Sequence, residues 1–177
     1  SYRDTRVAGA LHTAVLVGAA AGLGIAADRL TRTRPVARTL VTAAATWAVL
    51  GGRSLGREAT AVGVLLDAPD LPGARRRITH LVGRDPSTLD EAGIARACVE
   101  SVAENTSDAV VAPLIWGAVA GVPGLLGFRA VNTLDAMIGH RSPRYERFGW
   151  AAARLDDLAN LAPARLSAGL AAGAAPL

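Results

Sequence analysis

The chain has 177 residues and a net charge of +4. Hydrophobic residues make up 51% of it and 19 more residues are glycine, which together give an apolar share of about 62%, against about 45–50% in average soluble domains. All 19 basic residues are arginine, which excludes a P-loop lysine and a Schiff-base lysine. The single cysteine excludes an internal disulfide and a cysteine-cluster zinc site.

The positive charge does not predict a nucleic-acid-binding protein. The arginines are scattered between apolar runs, and aromatic residues, on which bases stack, make up only 4% of the chain. The three histidines lie far apart in the sequence, so a histidine-rich metal centre is not predicted either. Arginine, carboxylate and amide groups remain for polar chemistry, and they suit phosphate and Mg²⁺ better than transition metals.

The first predicted element is a transmembrane helix over residues 7–27. This run has no charged side chain, and at about 1.5 Å per residue it reaches about 30 Å, the thickness of a bilayer core. The arginine-rich segment that follows is typical of a cytoplasmic loop. Residues 39–52 are apolar again but too few for a regular span, which favours a buried or re-entrant helix.

The middle of the chain is less apolar. Residues 55–66 place apolar side chains at helical spacing with Arg57 and Glu58 opposite, which predicts an amphipathic helix. Residues 67–90 are rich in Pro, Gly, Asp and arginine and predict a soluble connection with a short helix inside it. A further helix is predicted to begin with Ser87 or Thr88 as its cap and acidic residues in its first turn.

Residues 109–128 form another apolar run, but Gly121-Val122-Pro123-Gly124 interrupts it with a strong turn signal. A re-entrant hairpin or broken helix is therefore predicted beside the alternative of a straight span. The last apolar run covers residues 161–175. The predicted fold class is all-α: a multi-pass helical membrane protein with a soluble helical connection. We expect one domain over residues 1–177, as a segment of a longer chain.

Three polar clusters border the apolar runs. In the first, carboxylates four residues apart form one line on a helix, and their repulsion favours a compensating cation over a merely solvated acidic face. In the third, Asp and Asn oxygens share a helix face, as Mg²⁺ ligands do, and arginines suited to phosphate lie nearby, although the arginines alternatively pair with the aspartates. In chain order the members are Glu100, Glu104, Asn105 and Asp108; Asn132 and Asp135; and Arg154, Asp156, Asp157 and Asn160.

These patterns alone leave three functions open. One is a Mg²⁺-dependent membrane enzyme acting on a phosphorylated or diphosphate substrate, such as a prenyl or alcohol phosphotransferase. Another is an ATP-using ligase. The third is a non-catalytic membrane sensor or assembly subunit whose charges hold helices together.

Several short motifs lie in and around these clusters. They are LVGRD at residues 81–85, ESVAENTSD at 100–108, AVNTLDAMIGHR at 130–141, FGW at 148–150, ARLDD at 153–157 and PARL at 163–166. In this order they resemble the adenosylcobinamide-phosphate synthase family, the CobD/CbiB membrane proteins of cobalamin biosynthesis. The resemblance covers almost the whole chain and is strongest over residues 81–166. One departure is Ala109, where the family usually has glycine.

The resemblance implies a multi-pass enzyme of the cytoplasmic (inner) membrane. Its expected substrates are the corrinoid adenosylcobyric acid and 1-amino-2-propanol or its O-phosphate, joined by an amide bond with ATP as co-substrate and Mg²⁺ as cofactor. The product is adenosylcobinamide or its phosphate. The lipid bilayer and other membrane enzymes of cobalamin assembly are the expected partners, and nucleic acid is not.

The motif matches also imply roles for individual residues. Catalysis, including deprotonation of the amine, is assigned to Glu104, Asp108 and Asp157. Mg²⁺ is expected at Asp108, Asp135, Asp156 and Asp157. Substrate and phosphate binding is assigned to Arg84, Asn105, Asn132, Arg141, Arg154 and Asn160.

Overall fold

The computed structural model describes residues 4–68, 70–83, 85–140 and 142–174. Within these ranges every regular element is helical, which confirms the all-α prediction. In chain order the elements are α1 (Arg6–Thr31), α2 (Pro35–Val49), α3 (Gly52–Asp67), α4 (Leu71–Ile78), α5 (Glu91–Thr106), a π-helical turn π1 (Ser107–Val111), α6 (Ala112–Leu134), a second π-helical turn π2 (Asp135–Gly139) and α7 (Trp150–Ala174).

The chain divides into two compact units. The larger unit combines residues up to Leu50 with residues from Val111 onward, and the smaller unit is Gly51–Val110. Two helical segments of the described chain, Arg6–Thr31 and Glu91–Gly139, are long and apolar enough to cross a membrane by length and composition. The first contains the predicted span over residues 7–27. The prediction of one membrane domain stays a prediction, because compactness does not establish which residues lie in lipid.

Helix α1 packs on α6 in the larger unit through closely approaching backbones. A Cβ atom on Gly24 would come within 2.5 Å of the Pro123 Cα, so only glycine allows this contact. The helix begins at a Thr5 cap whose hydroxyl accepts a hydrogen bond from the Ala8 amide at 3.2 Å. Small residues therefore replace large core side chains between these two helices.

Helix α6 is broken where the sequence carries its turn signal. Gly121 has φ 64° and ψ −147°, a conformation that favours glycine, and Pro123 follows it. The chain then folds back on itself: a Cβ on Gly124 would overlap the Trp116 carbonyl oxygen, and one on Gly117 would lie 2.9 Å from Leu125 Cδ2. The predicted break is confirmed, whereas re-entry into a membrane stays a prediction.

Helix α2 corrects the expectation of a buried helix. Val49 is its only buried residue, while Trp47 is 83% exposed and Val36 and Leu40 are also exposed. An apolar composition predicts that a helix is removed from water, but it does not predict whether other helices of the same chain bury its side chains. The helix is also short, as the sequence predicted.

The smaller unit has its own apolar core between α3, α4 and α5. Val62, Ala74, Ile78 and Ile94 are its buried members, and the predicted amphipathic helix and short helix are both present as α3 and α4. The predicted cap of α5 is wrong: the helix begins after Asp90, whose carboxylate accepts from the Gly93 amide at 2.8 Å. The charged carboxylate of Asp90 is next to the first turn and caps the helix in preference to the hydroxyls two and three residues earlier.

Candidate functional site

The structure brings the second and third polar clusters together where α6 meets α7. Asn160 donates a hydrogen bond from Nδ2 to Asp156 Oδ2 at 3.0 Å, one turn away on α7. Asn132, on the second half of α6, hydrogen-bonds the same carboxylate. The carboxylate of Asp156 is therefore held from two helices by neutral amide groups.

This arrangement leaves two oxygens without a donor. Asp156 Oδ1 and Asn160 Oδ1 are both buried, and neither accepts a hydrogen bond from any residue that the structure describes. Buried acceptors are normally paired, and an unpaired one costs about 1–3 kcal/mol. A carboxylate oxygen and an amide oxygen on adjacent turns are suited to accept a cation.

The charge of Asp156 is poorly compensated by the residues that the structure describes. Burial raises the pKa of its carboxyl group. The hydrogen bonds from Asn160 and Asn132 oppose that rise, whereas the carboxylates of Asp135 and Asp157 increase it. Among the described residues, amide groups are the hydrogen-bonding partners of Asp156, while the nearby Arg154 pairs with Asp157.

Asp135, in the π2 turn, adds negative charge next to Asp156. Its carboxylate lies over Gly139, so closely that a Cβ on Gly139 would overlap Asp135 Oδ1. Asp108 lies in the other π turn, π1. Such turns are rare and frequently occur at functional sites, and nothing in the sequence pattern had predicted them.

A polar cavity of about 220 Å³ adjoins the cluster in the larger unit. Arg154 and Asp157 line it on α7 and form an exposed ion pair at 3.5 Å. His140 lines the same cavity and is a residue that the sequence analysis had not selected, although it stands inside a matched motif. The complete lining is Gly139, His140, Tyr145, Glu146, Trp150, Ala153, Arg154 and Asp157.

The donor set fits Mg²⁺ only with ligands from outside the protein. No three His, Cys, Asp or Glu side chains within the described ranges are grouped closely enough to hold a metal. Mg²⁺, however, usually takes one or two carboxylates and completes its octahedron with waters and substrate phosphates. Asp156 Oδ1 and Asn160 Oδ1 provide such a partial site, with Asp135 and Asp157 near.

The first cluster lies in the smaller unit. Glu100 and Glu104 are exposed on α5, whereas Asp108 is half-buried in π1, where the wider turn interrupts the expected straight line of carboxylates. Asn105 donates from Nδ2 to the Ser101 carbonyl at 2.8 Å. Asp108 and Asp135 thus belong to different units, and a single site formed from all three clusters stays a prediction.

A polar network that the sequence analysis missed lies beside Asn105. Glu58, assigned to the solvent face of α3, is only 16% exposed at its side chain and pairs with Arg77 at 2.8 Å. His80 Nδ1 lies 3.5 Å from the same carboxylate. Glu58, His80 and Asn105 line a cavity of about 200 Å³. The pairing joins residues 19 apart, a distance that helical periodicity does not predict.

Two predicted phosphate-binding residues, Arg84 and Arg141, lie outside the described residues. Of the arginines assigned to phosphate, Arg154 is the one that the structure places, at the polar cavity. The larger unit therefore contains Asn132, Asp135, Arg154, Asp156, Asp157 and Asn160 in one neighbourhood.

Comparison with known proteins gives one consistent family. The family model described as CobD/Cbib protein matches residues 1–176. The chain is 57% identical over 178 residues to the cobalamin biosynthesis protein CobD of Mycobacterium tuberculosis H37Rv, which covers 100% of the chain and 56% of that relative. No solved structure matches the chain.

Two further relatives carry the same name. The CobD protein of Rhodobacter capsulatus is 60% identical over 121 residues, which is 68% of the chain and 38% of the relative. That of Geobacter metallireducens is 47% identical over 175 residues, 98% of the chain and 55% of the relative. The chain thus spans about half the length of the curated relatives it matches.

Proposed function

The chain belongs to the CobD/CbiB family of cobalamin biosynthesis proteins, and on that premise we propose that it contributes the site of an amide-forming ligase. The proposed reaction joins adenosylcobyric acid to 1-amino-2-propanol or its O-phosphate and consumes ATP. The product is adenosylcobinamide or its phosphate. The observation that carries the proposal is the pair of unfilled buried oxygens on Asp156 and Asn160, next to an arginine-lined cavity.

The chemistry explains why such a pair is useful. A carboxylate becomes an acyl donor when one of its oxygens takes the terminal phosphoryl group of ATP and ADP leaves. The amine then attacks the acyl carbon, phosphate departs with that oxygen, and the amine nitrogen loses a proton. Both steps develop charge on phosphoryl oxygens, so the site needs fixed cations.

The residues of the larger unit are suited to bind such phosphoryl groups. Mg²⁺, when bound, would neutralise phosphate charge, and Asp156 and Asn160 would hold it, with Asp135 beside them. Arg154 and His140 line the adjoining cavity and supply donors to phosphate oxygens. Because the chain has no lysine, we propose that in this part of the site arginine and a metal perform the role that a P-loop lysine performs in other nucleotide enzymes.

We assign deprotonation of the amine to a carboxylate of the first cluster. Glu104 is exposed and Asp108 is half-buried at π1. A general base must reach the amine within hydrogen-bond distance, and these side chains are the candidates that the matched ESVAENTSD motif contains. Asp157, on the wall of the polar cavity, is the alternative base.

We also propose that the protein acts as a multi-pass protein of the cytoplasmic membrane. The two candidate spans and the exposed apolar face of α2 support this location. Lipid would cover Trp47 and Leu40, which are otherwise exposed to water. The corrinoid and the aminopropanol substrate are the proposed ligands, and neighbouring membrane enzymes of cobalamin assembly are the proposed partners.

The test is an assay of the full-length protein in lipid nanodiscs. Adenosylcobyric acid, ATP and Mg²⁺ are combined with aminopropanol or its phosphate, and mass spectrometry detects the amide while chromatography identifies ADP or AMP. We expect amide formation with one of the two amines and release of ADP. The Asp156→Asn variant should be inactive, while Asp67→Asn, an exposed residue on α3, should match the wild type.

Absence of the amide with both amines would refute the proposed ligase. Release of AMP would replace the acyl phosphate by an acyl adenylate and leave the ligase in place. A fully active Asp156→Asn variant would remove the α6–α7 cluster from the reaction.

A further inference from the structure

Helix α7 contains a buried proline that leaves one backbone carbonyl in need of a donor. Pro163 is almost completely buried inside this helix. Because proline has no N–H, residue 163 cannot donate the regular helical hydrogen bond to the carbonyl of Ala159, four residues earlier. A carbonyl freed in this way needs another donor when it is shielded from water.

Trp116 supplies that donor from a different helix. Its indole Nε1 donates to the Ala159 carbonyl oxygen at 3.1 Å, across 43 residues of sequence. The Trp116 backbone is itself fixed by the break in α6, because Gly124 packs against its carbonyl with no room for a Cβ. The indole therefore connects the first half of α6 to the middle of α7.

The Trp116 hydrogen bond joins α7 at the turn that contains Asp156 and Asn160, whose Oδ1 atoms have no donor among the described residues. Ala159 lies three residues after Asp156 and directly before Asn160. By helical spacing, residues 156, 159, 160 and 163 share one face of the helix. Asn132, which also holds Asp156, lies on the second half of α6. The two halves of the broken helix thus contact the same turn of α7.

We infer that Trp116 is a positioning residue for the cation site: its hydrogen bond to Ala159 fixes the α7 turn so that Asp156 Oδ1 and Asn160 Oδ1 face one cation. The inference rests on the cation site of the proposed function. Without the indole donor, the freed carbonyl must recruit water or tilt, and the proline then acts as a hinge beneath both oxygens. Trp116 itself does not touch the cation.

The experiment measures cation binding directly, with Mn²⁺ as the probe and electron paramagnetic resonance as the readout. Full-length protein in nanodiscs is titrated as wild type, Trp116→Phe and Trp47→Phe. Trp47 is the matched control because it is a helical tryptophan that is 83% exposed. We expect Trp116→Phe to weaken Mn²⁺ binding about tenfold, at the lower end of the 10–100-fold typical of outer-shell partners. Trp47→Phe should leave binding within about twofold.

A second background separates positioning from general packing. Pro163→Ala restores an N–H at residue 163, which can donate to Ala159 in the regular helical way. In that background Trp116→Phe should weaken Mn²⁺ binding by less than about twofold. In the amide assay, Trp116→Phe should raise the Mg²⁺ concentration for half-maximal rate about tenfold, with a much smaller change in the rate at saturating Mg²⁺.

Equal Mn²⁺ binding by the wild type and Trp116→Phe would overturn the inference and leave the proposed ligase unaffected. An equally large loss in the Pro163→Ala background would also overturn it, because the loss would then come from the missing indole volume. If Trp116→Phe alone does not fold, the double variant Trp116→Phe, Pro163→Ala decides the question. Mn²⁺ binding close to that of the wild type supports the inference, and a continued loss of Mn²⁺ binding refutes it. A wild type that binds no Mn²⁺ would refute the cation site and with it this part of the proposed function.

Discussion

The two units of the protein each contain a largely buried carboxylate, and the charges around these two carboxylates differ. In the smaller unit, Glu58 pairs with Arg77 at 2.8 Å, and His80 lies 3.5 Å away. In the larger unit, Asp156 is held by the neutral amides of Asn160 and Asn132, with Asp135 and Asp157 adding negative charge. Among the described residues, Glu58 has a cationic partner and Asp156 has none.

This difference separates a structural charge from a candidate functional one. The charge of Glu58 is compensated by an arginine of the same unit, although Glu58 Oε2 and Arg77 Nε are also buried without a hydrogen bond from the described residues. A buried carboxylate with like-charged neighbours and no cationic partner among the described residues reduces stability until a cation binds. The comparison therefore favours Asp156, and not Glu58, as the binding residue, although both are acidic and both line or adjoin a polar cavity.

The strongest test of the comparison is Asp156→Asn, which keeps the shape of the side chain and removes its charge. We expect Mn²⁺ affinity and the rate of amide formation to fall about a hundredfold or more, since the loss of a ligand exceeds the 10–100-fold loss of an outer partner. Titration by electron paramagnetic resonance measures the first and the nanodisc assay measures the second. Retention of tight Mn²⁺ binding would contradict the distinction between the two carboxylates.

The corresponding change in the smaller unit is Glu58→Gln, and it should act on stability. Arg77 would keep its charge while losing its partner, which costs about 3–5 kcal/mol for a fully buried pair and about 1–2 kcal/mol here, because the Arg77 side chain is 35% exposed. Thermal unfolding in detergent measures the loss.

The double variant Glu58→Gln, Arg77→Met provides the control for this pair. It removes both charges and should recover most of the lost stability, because no uncompensated cation remains. Mn²⁺ binding should equal that of the wild type in both variants. Loss of Mn²⁺ binding in Glu58→Gln at a temperature where the protein is folded would place Glu58 in the binding site and remove the contrast between the units.

The sequence predicted those features that depend on neighbouring residues. The charge-free run became α1, and the Gly121-Val122-Pro123-Gly124 signal became a break in α6, because φ 64° at residue 121 favours glycine and proline disfavours continuation of the helix. Asp, Asn and Arg at helical spacing likewise located Asp156 and Asn160, whose hydrogen bond spans one turn of the same helix.

Features that depend on distant residues were not predictable in this way. Glu58 was placed on a solvent face because its partner Arg77 is 19 residues away. The hydrogen bond between Trp116 and Ala159 joins residues 43 apart and needs both the broken α6 and the proline in α7. The π turns at Asp108 and Asp135 add a residue to a helical turn in response to packing, which single-sequence periodicity does not encode.

A smaller effect is expected from Gly139→Ala in the π2 turn. The new Cβ would overlap Asp135 Oδ1, so the Asp135 carboxylate must move away from its present position. We expect a loss of Mn²⁺ affinity of about three- to tenfold, less than for Asp156→Asn, because Asp135 contributes mainly negative charge near the cation.

Gly22→Ala is the matched control for Gly139→Ala. A Cβ at Gly22 in α1 would meet nothing within 4 Å, and alanine in a helix stabilises it relative to glycine by about 0.5–1 kcal/mol. Mn²⁺ binding by Gly22→Ala should therefore equal that of the wild type. If Gly139→Ala also binds Mn²⁺ normally, Asp135 does not belong to the cation site.

The smallest expected effect concerns stability without divalent cations. Burial raises the pKa of Asp156 above its value in the unfolded chain, so the native state binds more protons than the unfolded state between the two values. Stability contributed by this group is therefore lost as pH rises through that window, and the loss persists at pH 7. Asp156→Asn, which carries no charge, should melt at a higher temperature than the wild type at pH 7, by an amount equivalent to about 0.5–2 kcal/mol.

Two changes of condition should remove that gain. Below the unfolded pKa of aspartate, about 3.9, the carboxyl is neutral in both states, and the two proteins should melt alike. At pH 7, saturating Mn²⁺ should stabilise the wild type but not Asp156→Asn, because a ligand stabilises only the form that binds it.

Lowering the pH through the raised pKa of Asp156 should in turn weaken Mn²⁺ binding to the wild type, since proton and cation compete for one carboxylate. A gain in melting temperature that ignored both pH and Mn²⁺ would come from packing alone, and Asp156 would then resemble Glu58 after all.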